Sequence, residues 1–215
     1  MQDANDSGQD FWERQEQIYK SAYVSIGLLV INVLIFILSN TIMGWMYEKG
    51  AMITEVVLRY GEYYRVFTAI FLHADIVHLM NNMLMLLLLG AIVENYTGHA
   101  FFFFLYMLSG LFGNMISMAY EIQNNLSWIS VGASGAIMGL VGLLVIWLIK
   151  NWSSFVHNRS IKIRLLLLSL FIMQALFFQK GANIAAHFGG FVTGTVLGVI
   201  NIVLLKNDKK MEGLA

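Results

Sequence analysis

The chain has 215 residues, of which 58% are hydrophobic and only 12% are charged, whereas about a quarter of the residues of a soluble domain are charged. Its formal net charge is zero, which excludes bulk electrostatic attraction to nucleic acid. It has no cysteine, and this excludes disulfides, thiolate nucleophiles and sulfur-ligated metal sites. The composition therefore indicates a protein embedded in a lipid bilayer, with no nucleic-acid partner.

The order of the apolar segments predicts an all-α membrane protein. After a short polar tail, six segments are candidates to cross a hydrocarbon layer of about 30 Å. They are Ala22–Leu38, Ile76–Val93, Ala100–Tyr120, Gly132–Ile149, Leu165–Phe178 and Ile184–Leu205. Between the first two, Asn40–Asp75 mixes aromatic residues with charges, which is typical of an interfacial loop at the headgroup level. We therefore expect a cytoplasmic tail at 1–20, a six-span domain at 21–205 and a cytoplasmic C-terminal tail at 206–215.

The distribution of lysine and arginine predicts the side of the membrane on which each end of the chain lies. One side carries nine basic residues: Arg14, Lys20, Lys150, Arg159, Lys162, Arg164, Lys206, Lys209 and Lys210. The other side carries four: Lys49, Arg59, Arg65 and Lys180. Because cytoplasmic segments carry the excess of positive charge, both termini are expected in the cytoplasm. Spans two, four and six then run from outside to inside.

Four polar side chains stand near the start of these three spans. His78 and Asn82 lie four residues apart in span two and so share one helical face. Ser134 begins span four within Gly-Ala-Ser-Gly, and His187 lies near the start of span six. Counting from Lys150 at a rise of about 1.5 Å per residue puts Ser134 about 24 Å above the cytoplasmic surface, within a hydrocarbon core of ~30 Å. Polar residues at membrane depth are costly and usually functional.

Glycines predict that spans four and six pack closely. Span six carries Gly190, Gly194 and Gly198, and span four carries Gly135, Gly139 and Gly142. Small residues at such spacing let the backbones of two membrane helices touch. If these stripes pack together, Ser134 and His187 meet at hydrogen-bonding distance.

A serine in contact with a histidine suits acyl transfer. A serine hydroxyl is a weak nucleophile until a neighbouring base takes its proton, and His187 can accept that proton near neutral pH. The oxyanion that forms needs donors fixed in advance, and His78, Asn82 and the backbone N–H of Ser134 are candidates. No aspartate stands near His187 in the sequence, so we expect a dyad without a carboxylate partner.

Each feature alone has a structural explanation. Gly-Ala-Ser-Gly is more often helix packing, and the polar pair of span two can be an interhelical hydrogen bond. The histidines nearer span ends and loops, His73, His99 and His157, are expected to be solvated or interfacial. A metalloprotease is disfavoured because His-Glu-x-x-His is absent and acidic residues at membrane depth are few. A small-solute transporter is the stronger competitor, although neither an internal repeat nor a midplane polar chain is visible.

Five segments together resemble the rhomboid intramembrane proteases. They are Tyr64–Thr68 (YRVFT), His73–Asn82 (HADIVHLMNN), Gly90–Gly98 with Glu94, Gly132–Gly139 (GASGAIMG) and Ala186–Gly194 (AHFGGFVTG). Their order and spacing are similar to those of the family from about Tyr64 to Leu205, and the combination of HxxxN, GxSG and AHxxGxxxG is specific. The resemblance implies a six-transmembrane-helix rhomboid-like bundle.

The resemblance also implies a role for each matching residue. Ser134 would be the nucleophile, His187 its base, and His78 and Asn82 would stabilise the oxyanion. The residues of the active-site loop and of the helix packing would be Gly132, Gly135, Met138, Gly190 and Gly194, and those of structural loops would be Arg65 and Glu94. Two positions depart from the family pattern: Tyr64 replaces a tryptophan, and Met138 replaces an aromatic residue near the catalytic histidine, whose ring a flexible thioether can still cover.

The activity implied by the resemblance is that of a serine endopeptidase acting on peptide bonds in or near transmembrane segments of membrane proteins. It implies no metal and no other cofactor, and a bacterial plasma membrane as the location. The fifth span would form a mobile side wall at a lateral entrance. A catalytically inactive rhomboid-like protein that binds membrane clients is the alternative, and the transporter remains as a third hypothesis.

Overall fold

The structure, a computed structural model, describes residues 12–157, 162–163, 165–170, 173, 181–209 and 211. Its helices are α1 (residues 12–20), α2 (Tyr23–Thr41), α3 (Trp45–Gly50), α4 (Thr54–Tyr60), α5 (Arg65–Thr68), α6 (Ile76–Thr97), α7 (His99–Asn124), α8 (Ser134–Lys150), α9 (Trp152–His157) and α10 (Ile184–Leu204). Residues 165–170 are also helical. Two short antiparallel strands, β1 (Met52–Ile53) and β2 (Ile129–Ser130), pair with each other.

Within the described residues, four helices, α2, α6, α7 and α10, are long and apolar enough to cross a membrane. Helix α8 is apolar but has only 17 residues, which correspond to about 26 Å of helix. The prediction of a helical, multi-pass membrane protein is confirmed by these elements. Half of the predicted fifth span, Leu165–Phe178, lies outside the described residues, as do residues 1–11 of the predicted tail.

Two helices run further than the sequence predicts because each continues through a buried glutamate. The second span is predicted to end at Val93 with Glu94 in a loop, but α6 continues to Thr97 and Glu94 is helical. Helix α7 likewise reaches Asn124, four residues beyond the prediction. A charge in lipid is costly and suggests a helix end. Glu94 and Glu121, however, are buried and hydrogen-bonded within the protein, so neither helix has to stop.

Glu94 fastens α6 to the start of α2. Its Oε1 accepts the backbone N–H of Val24 at 2.9 Å, and its Oε2 accepts the backbone N–H and the hydroxyl of Ser25 at 2.7 and 2.6 Å. The Nδ1 atom of His99 lies 2.6 Å from Oε1. The first N–H groups of a helix have no partner within it, and a negative charge at that end is favourable. Glu94 is therefore an anchor between two helices.

Helices α6 and α10 each contain one wide turn. Leu86–Gly90 in α6 and Ile200–Leu204 at the end of α10 have the π-helical pattern, in which each hydrogen bond spans five residues. The turn in α6 separates the part of the helix that carries His78 and Asn82 from the part that carries Glu94. It therefore sets the angle between their side chains.

The predicted close packing of spans four and six is confirmed. A Cβ atom on Gly190 would collide with the carbonyl group of Gly135, and one on Gly194 would collide with that of Gly139. The backbones of α8 and α10 therefore touch, a contact that only small residues allow. Helix α7 packs against the same two helices, since a Cβ atom on Gly113 would lie 2.7 Å from a carbonyl oxygen of α10.

The segment between α2 and α6 is held by one buried arginine. Arg65 donates from Nη1 to the carbonyl oxygens of Glu48 and Ala51, both at 2.8 Å, and from Nε to Glu62 Oε2 at 2.6 Å. The hydrogen bond from Arg65 holds the pKa of Glu62 below its ordinary value. Strand β1 in this segment pairs with β2, which leads towards Ser134. The segment is thus tied to the loop before α8.

Candidate active site

Ser134 and His187 lie at the heads of the two helices whose backbones touch. Ser134 is the first residue of α8, and His187 is in the first turn of α10. Ser134 Oγ lies 2.8 Å from His187 Nε2, which is a hydrogen-bonding distance. The His187 residue is 4% exposed, and its Nδ1 has no hydrogen-bond partner among the described residues. With the ring proton on Nδ1, the hydroxyl donates to Nε2, the arrangement that a general base requires.

His78 and Asn82 border the loop that leads into α8. Gly132 in this loop has a φ of +124°, which favours glycine. A Cβ atom there would lie 2.7 Å from His78 Nε2 and 3.6 Å from Asn82 Nδ2. The Nδ2 group of Asn82 is buried and has no partner in the part of the chain that the structure describes. Two side-chain nitrogen atoms therefore stand beside the backbone just before Ser134.

A cavity of about 220 Å³ opens beside Ser134, His187 and His78, whereas Asn82 lies outside its lining. The polar side chains of the lining include those of Asp75, His78, Ser130, Ser134, Asn183 and His187. Asp75 also caps α6, because its carboxylate accepts the backbone N–H of His78 at 2.8 Å. Polar groups at membrane depth are tolerated where they are buried in protein or line a water-filled cavity. The arrangement gives a peptide carbonyl and a water molecule room to reach the same hydroxyl.

The other predicted site residues lie around this pair. Gly135 and Gly190 meet at the crossing of α8 and α10, and Gly194 lies one turn further along α10. Met138 is 7% exposed and belongs to the apolar core. Its predicted cover over the imidazole stays a prediction. Arg65 lies away from the cavity lining, in the segment that it holds together.

His73 is buried, so the expectation of a solvated side chain is wrong for this residue, while its position at the membrane interface stays a prediction. It is 1% exposed, and its ring lies edge-on to that of His78, with 5.1 Å between the centroids. Burial lowers the pKa of His73 to about 3, and the charge that His78 can carry acts in the same direction. Position near a span end suggests exposure, and Ala74 and Asp75 are indeed exposed, but the ring of His73 is turned into the protein. His99 and His157 are both exposed, as expected.

Asn183 has no counterpart among the sequence predictions, although it lines the cavity. Its Oδ1 accepts the backbone N–H of Ala186 and so caps α10. Its Nδ2 donates to the hydroxyls of Ser117 and Ser130, which are 66 and 53 residues away along the chain. An asparagine just before an apolar helix is a recognised N-cap signal and could have located it. The two hydroxyl partners leave no local signal.

Comparison with known proteins identifies relatives. The profile of the Rhomboid domain family matches residues 60–203. RHOMBOID-like protein 1 of Arabidopsis thaliana is 34% identical over 156 residues, or 73% of this chain and 39% of that protein. The Bacillus subtilis (strain 168) protein YdcA, whose name describes it as a candidate rhomboid protease, is 33% identical over 141 residues, or 65% and 68%. Rhomboid-like protease 1 of Toxoplasma gondii is 28% identical over 145 residues, or 66% and 48%.

These similarities cover the region that contains the site. The chain spans about two fifths of the length of RHOMBOID-like proteins 1 and 4 of Arabidopsis thaliana. The relatives come from a plant, a bacterium and an apicomplexan, so they do not single out a bacterial source. The family profile covers more than half of the chain and includes His78, Asn82, Ser134 and His187. The chain belongs to the rhomboid family.

Proposed function

We propose that the protein is a serine endopeptidase that cleaves peptide bonds in or near the transmembrane segments of other membrane proteins. The observation that carries this proposal is the 2.8 Å contact between Ser134 Oγ and His187 Nε2 beside a polar cavity. Membership of the rhomboid family supports it, because a relative in Toxoplasma gondii is named as a protease. The proposal includes no metal and no cofactor.

The proposed reaction follows from the chemistry of these groups. Ser134 Oγ attacks the carbonyl carbon of the scissile bond while its proton passes to His187 Nε2. The oxyanion of the tetrahedral intermediate accepts hydrogen bonds from Asn82 Nδ2, His78 and the backbone N–H of Ser134. The imidazolium then gives its proton to the leaving amine, and the C–N bond breaks to leave an ester on Ser134. A water molecule deprotonated by His187 hydrolyses the ester and restores the hydroxyl.

The position of Asn82 supports its part in this scheme. Its amide donor is buried, has no partner among the described residues and faces Gly132, two residues before the nucleophile. The Nδ2 group is thus available to donate to an oxyanion, and this hydrogen bond would stabilise the charge that develops in the transition state.

We further infer that the chain crosses the membrane six times, with both termini in the cytoplasm. The four long apolar helices and α8 account for five crossings, and the helical residues 165–170 belong to the other. The excess of basic residues on one side supports the orientation. Residues 1–20 and 206–215 are then cytoplasmic tails of a protease domain at 21–205, and a plasma membrane is the location in this proposal.

The test uses purified protein, a fluorescent fluorophosphonate and a transmembrane reporter peptide with small residues at its cleavage site. Wild type is expected to be labelled and to cleave, and Ser134→Ala to do neither. Ser127→Ala is the matched control, because Ser127 is an exposed serine in the loop between α7 and α8, and it should behave as wild type. A chelator should change nothing. Cleavage by Ser134→Ala, or loss of cleavage with chelator, would contradict the mechanism.

A second pair of variants tests the oxyanion assignment. Asn82→Ala should lower kcat by about a hundred- to a thousandfold, the usual cost of removing one such donor, with an unchanged unfolding midpoint. Asn81→Ala, at the neighbouring asparagine that is less buried, should retain wild-type kcat. Wild-type kcat in both His78→Ala and Asn82→Ala would exclude these side chains from the oxyanion site. Capture of a membrane client without cleavage by wild type would instead favour the inactive, client-binding alternative.

A further inference from the structure

We propose that Asn183 is a positioning residue that sets the separation of Ser134 and His187, an inference that rests on the proposed protease function. Its side chain uses both ends of the amide at once. The oxygen binds the start of α10, and the nitrogen binds α7 and β2. One side chain thus joins the helix that carries His187 to the segment that leads into Ser134.

The contact with α10 fixes the turn that carries His187. Oδ1 of Asn183 accepts the backbone N–H of Ala186 at 3.0 Å, and the backbone carbonyl of Asn183 accepts the N–H of His187 at 3.0 Å. A side-chain acceptor at the N-cap holds the first turn of a helix. The position of the imidazole therefore follows the position of Asn183.

The contact with β2 fixes the segment before the nucleophile. Nδ2 of Asn183 donates to Ser130 Oγ at 2.8 Å. Ser130 is 4% exposed and is held in β2 by its pairing with Met52. Only three residues lie between Ser130 and Ser134. A change in the Asn183–Ser130 distance is therefore passed directly to the start of α8.

A third contact holds Asn183 itself in place. Nδ2 also donates to Ser117 Oγ at 2.6 Å, and Ser117 is fully buried in α7. Its hydroxyl donates to Glu121 Oε1 at 3.3 Å and accepts the indole N–H of Trp128 at 3.4 Å. Because these partners lie in the core and in the loop before β2, the amide of Asn183 has one orientation that satisfies all of them.

The two functions of the amide can be separated by substitution. Serine caps a helix about as well as asparagine does, but its single hydroxyl is too short to reach Ser117 and Ser130 as well. Asn183→Ser therefore keeps the cap and loses the bridge, whereas Asn183→Ala loses both. Ser130→Ala removes the bridge to β2 without changing the cap. Asn40→Ser is the matched control, since Asn40 is an exposed asparagine near the end of α2.

The experiment measures kcat and KM for a transmembrane reporter peptide, the rate of fluorophosphonate labelling and the unfolding midpoint of each variant. Asn183→Ser should lower the unfolding midpoint less than Asn183→Ala does, because it keeps the cap. Measured well below that midpoint, its kcat and labelling rate should fall about tenfold to a hundredfold at unchanged KM, because a misplacement of about 1 Å has such an effect on rate. Ser130→Ala should show the same pattern with a smaller loss. Asn40→Ser should match wild type.

Three results would overturn the inference. Wild-type kcat in Asn183→Ser would show that the bridge is unnecessary. A loss of kcat that follows the unfolding midpoint would mean that Asn183 only stabilises the fold. A raised KM at unchanged kcat would make it a substrate-binding residue. Absence of cleavage and of labelling in wild type itself would instead refute the proposed protease function, so the two failures are distinguishable.

Discussion

Glu94→Gln is expected to destabilise the protein while leaving the proposed reaction intact. The carboxylate of Glu94 accepts the backbone N–H groups of Val24 and Ser25, the Ser25 hydroxyl and a contact from His99, all within 2.9 Å. A glutamine amide has one acceptor oxygen, and its NH₂ group would face donors on the other side. Whichever way the amide is turned, one backbone N–H at the start of α2 loses its acceptor.

The size of the effect can be worked from these contacts. A hydrogen bond to a charged group contributes about 1.5–3 kcal/mol, and a buried donor left unpaired costs about 1–3 kcal/mol. The serine hydroxyl can rotate to accept from the new NH₂ group, which offsets part of the loss. We therefore expect the free energy of unfolding to fall by about 2–4 kcal/mol. Glu94 lies twelve residues from Asn82 along α6, or about 18 Å, so kcat should not change in the folded protein.

The assay compares the unfolding midpoint in denaturant with cleavage of a transmembrane reporter at low temperature. Glu16→Gln is the control, because Glu16 makes an exposed ion pair with Lys20 and such pairs contribute little. An unchanged midpoint in Glu94→Gln would refute the role of Glu94 as an anchor. A loss of kcat in the folded variant would refute its separation from the site.

Three other substitutions test separate parts of the fold. Arg65→Lys should lower the free energy of unfolding by about 1–3 kcal/mol. The reason is that one ammonium group cannot replace a guanidinium that binds two carbonyl oxygens and a carboxylate. An unchanged unfolding midpoint would contradict the role of Arg65 in holding the segment between α2 and α6. The pKa of His73 is about 3 in the folded protein against about 6.5 when unfolded, so the unfolded chain binds more protons and stability falls as pH drops from about 6.5 towards 3. The thermal midpoint of His73→Phe should therefore fall less steeply than that of wild type as the pH is lowered, whereas the exposed control His157→Phe should fall as wild type does. Equal slopes of midpoint against pH in the two variants would contradict the burial of His73. Gly190→Ala should abolish cleavage and labelling, because its Cβ would force α8 and α10 apart. Gly27→Ala should keep both, because a Cβ atom at Gly27 meets open space. Cleavage by Gly190→Ala would contradict the contact between the two backbones.

The meeting of Ser134 with His187 could be predicted because a membrane restricts the possibilities. Few polar residues occur in the spans, and a constant rise per residue converts sequence position into depth. The glycine stripes then indicate which two helices touch. These three constraints are independent, and together they point to a single pair. In a soluble protein, a serine and a histidine 53 residues apart would have had many more possible neighbours.

The parts that could not be predicted depend on how polar groups are satisfied across the fold. In the sequence, Glu94 and Glu121 each suggest that a helix ends, because a charge in lipid is costly. Only their hydrogen-bond partners within the protein explain why both helices continue. From its position alone His73 is expected to be solvated, and only the structure shows that its ring is buried. The pairing of β1 with β2 involves two residues in each strand, too few for an alternating pattern to show. Asn183 combines a recognisable helix cap with a long-range bridge that no local pattern encodes.

The wide turn at Leu86–Gly90 decides where the length of α6 can change. A π turn holds about one residue more than an α turn, so deleting one residue there would give an ordinary α turn and leave the helical phase beyond it nearly unchanged. His78 and Asn82 would stay beside Gly132, and Glu94 would still face the helix that it anchors. A deletion in the α-helical part between Asn82 and the wide turn would instead rotate Glu94 by about 100° relative to Asn82, so this turn is the one place between the two residues where the loss of a residue should be accepted.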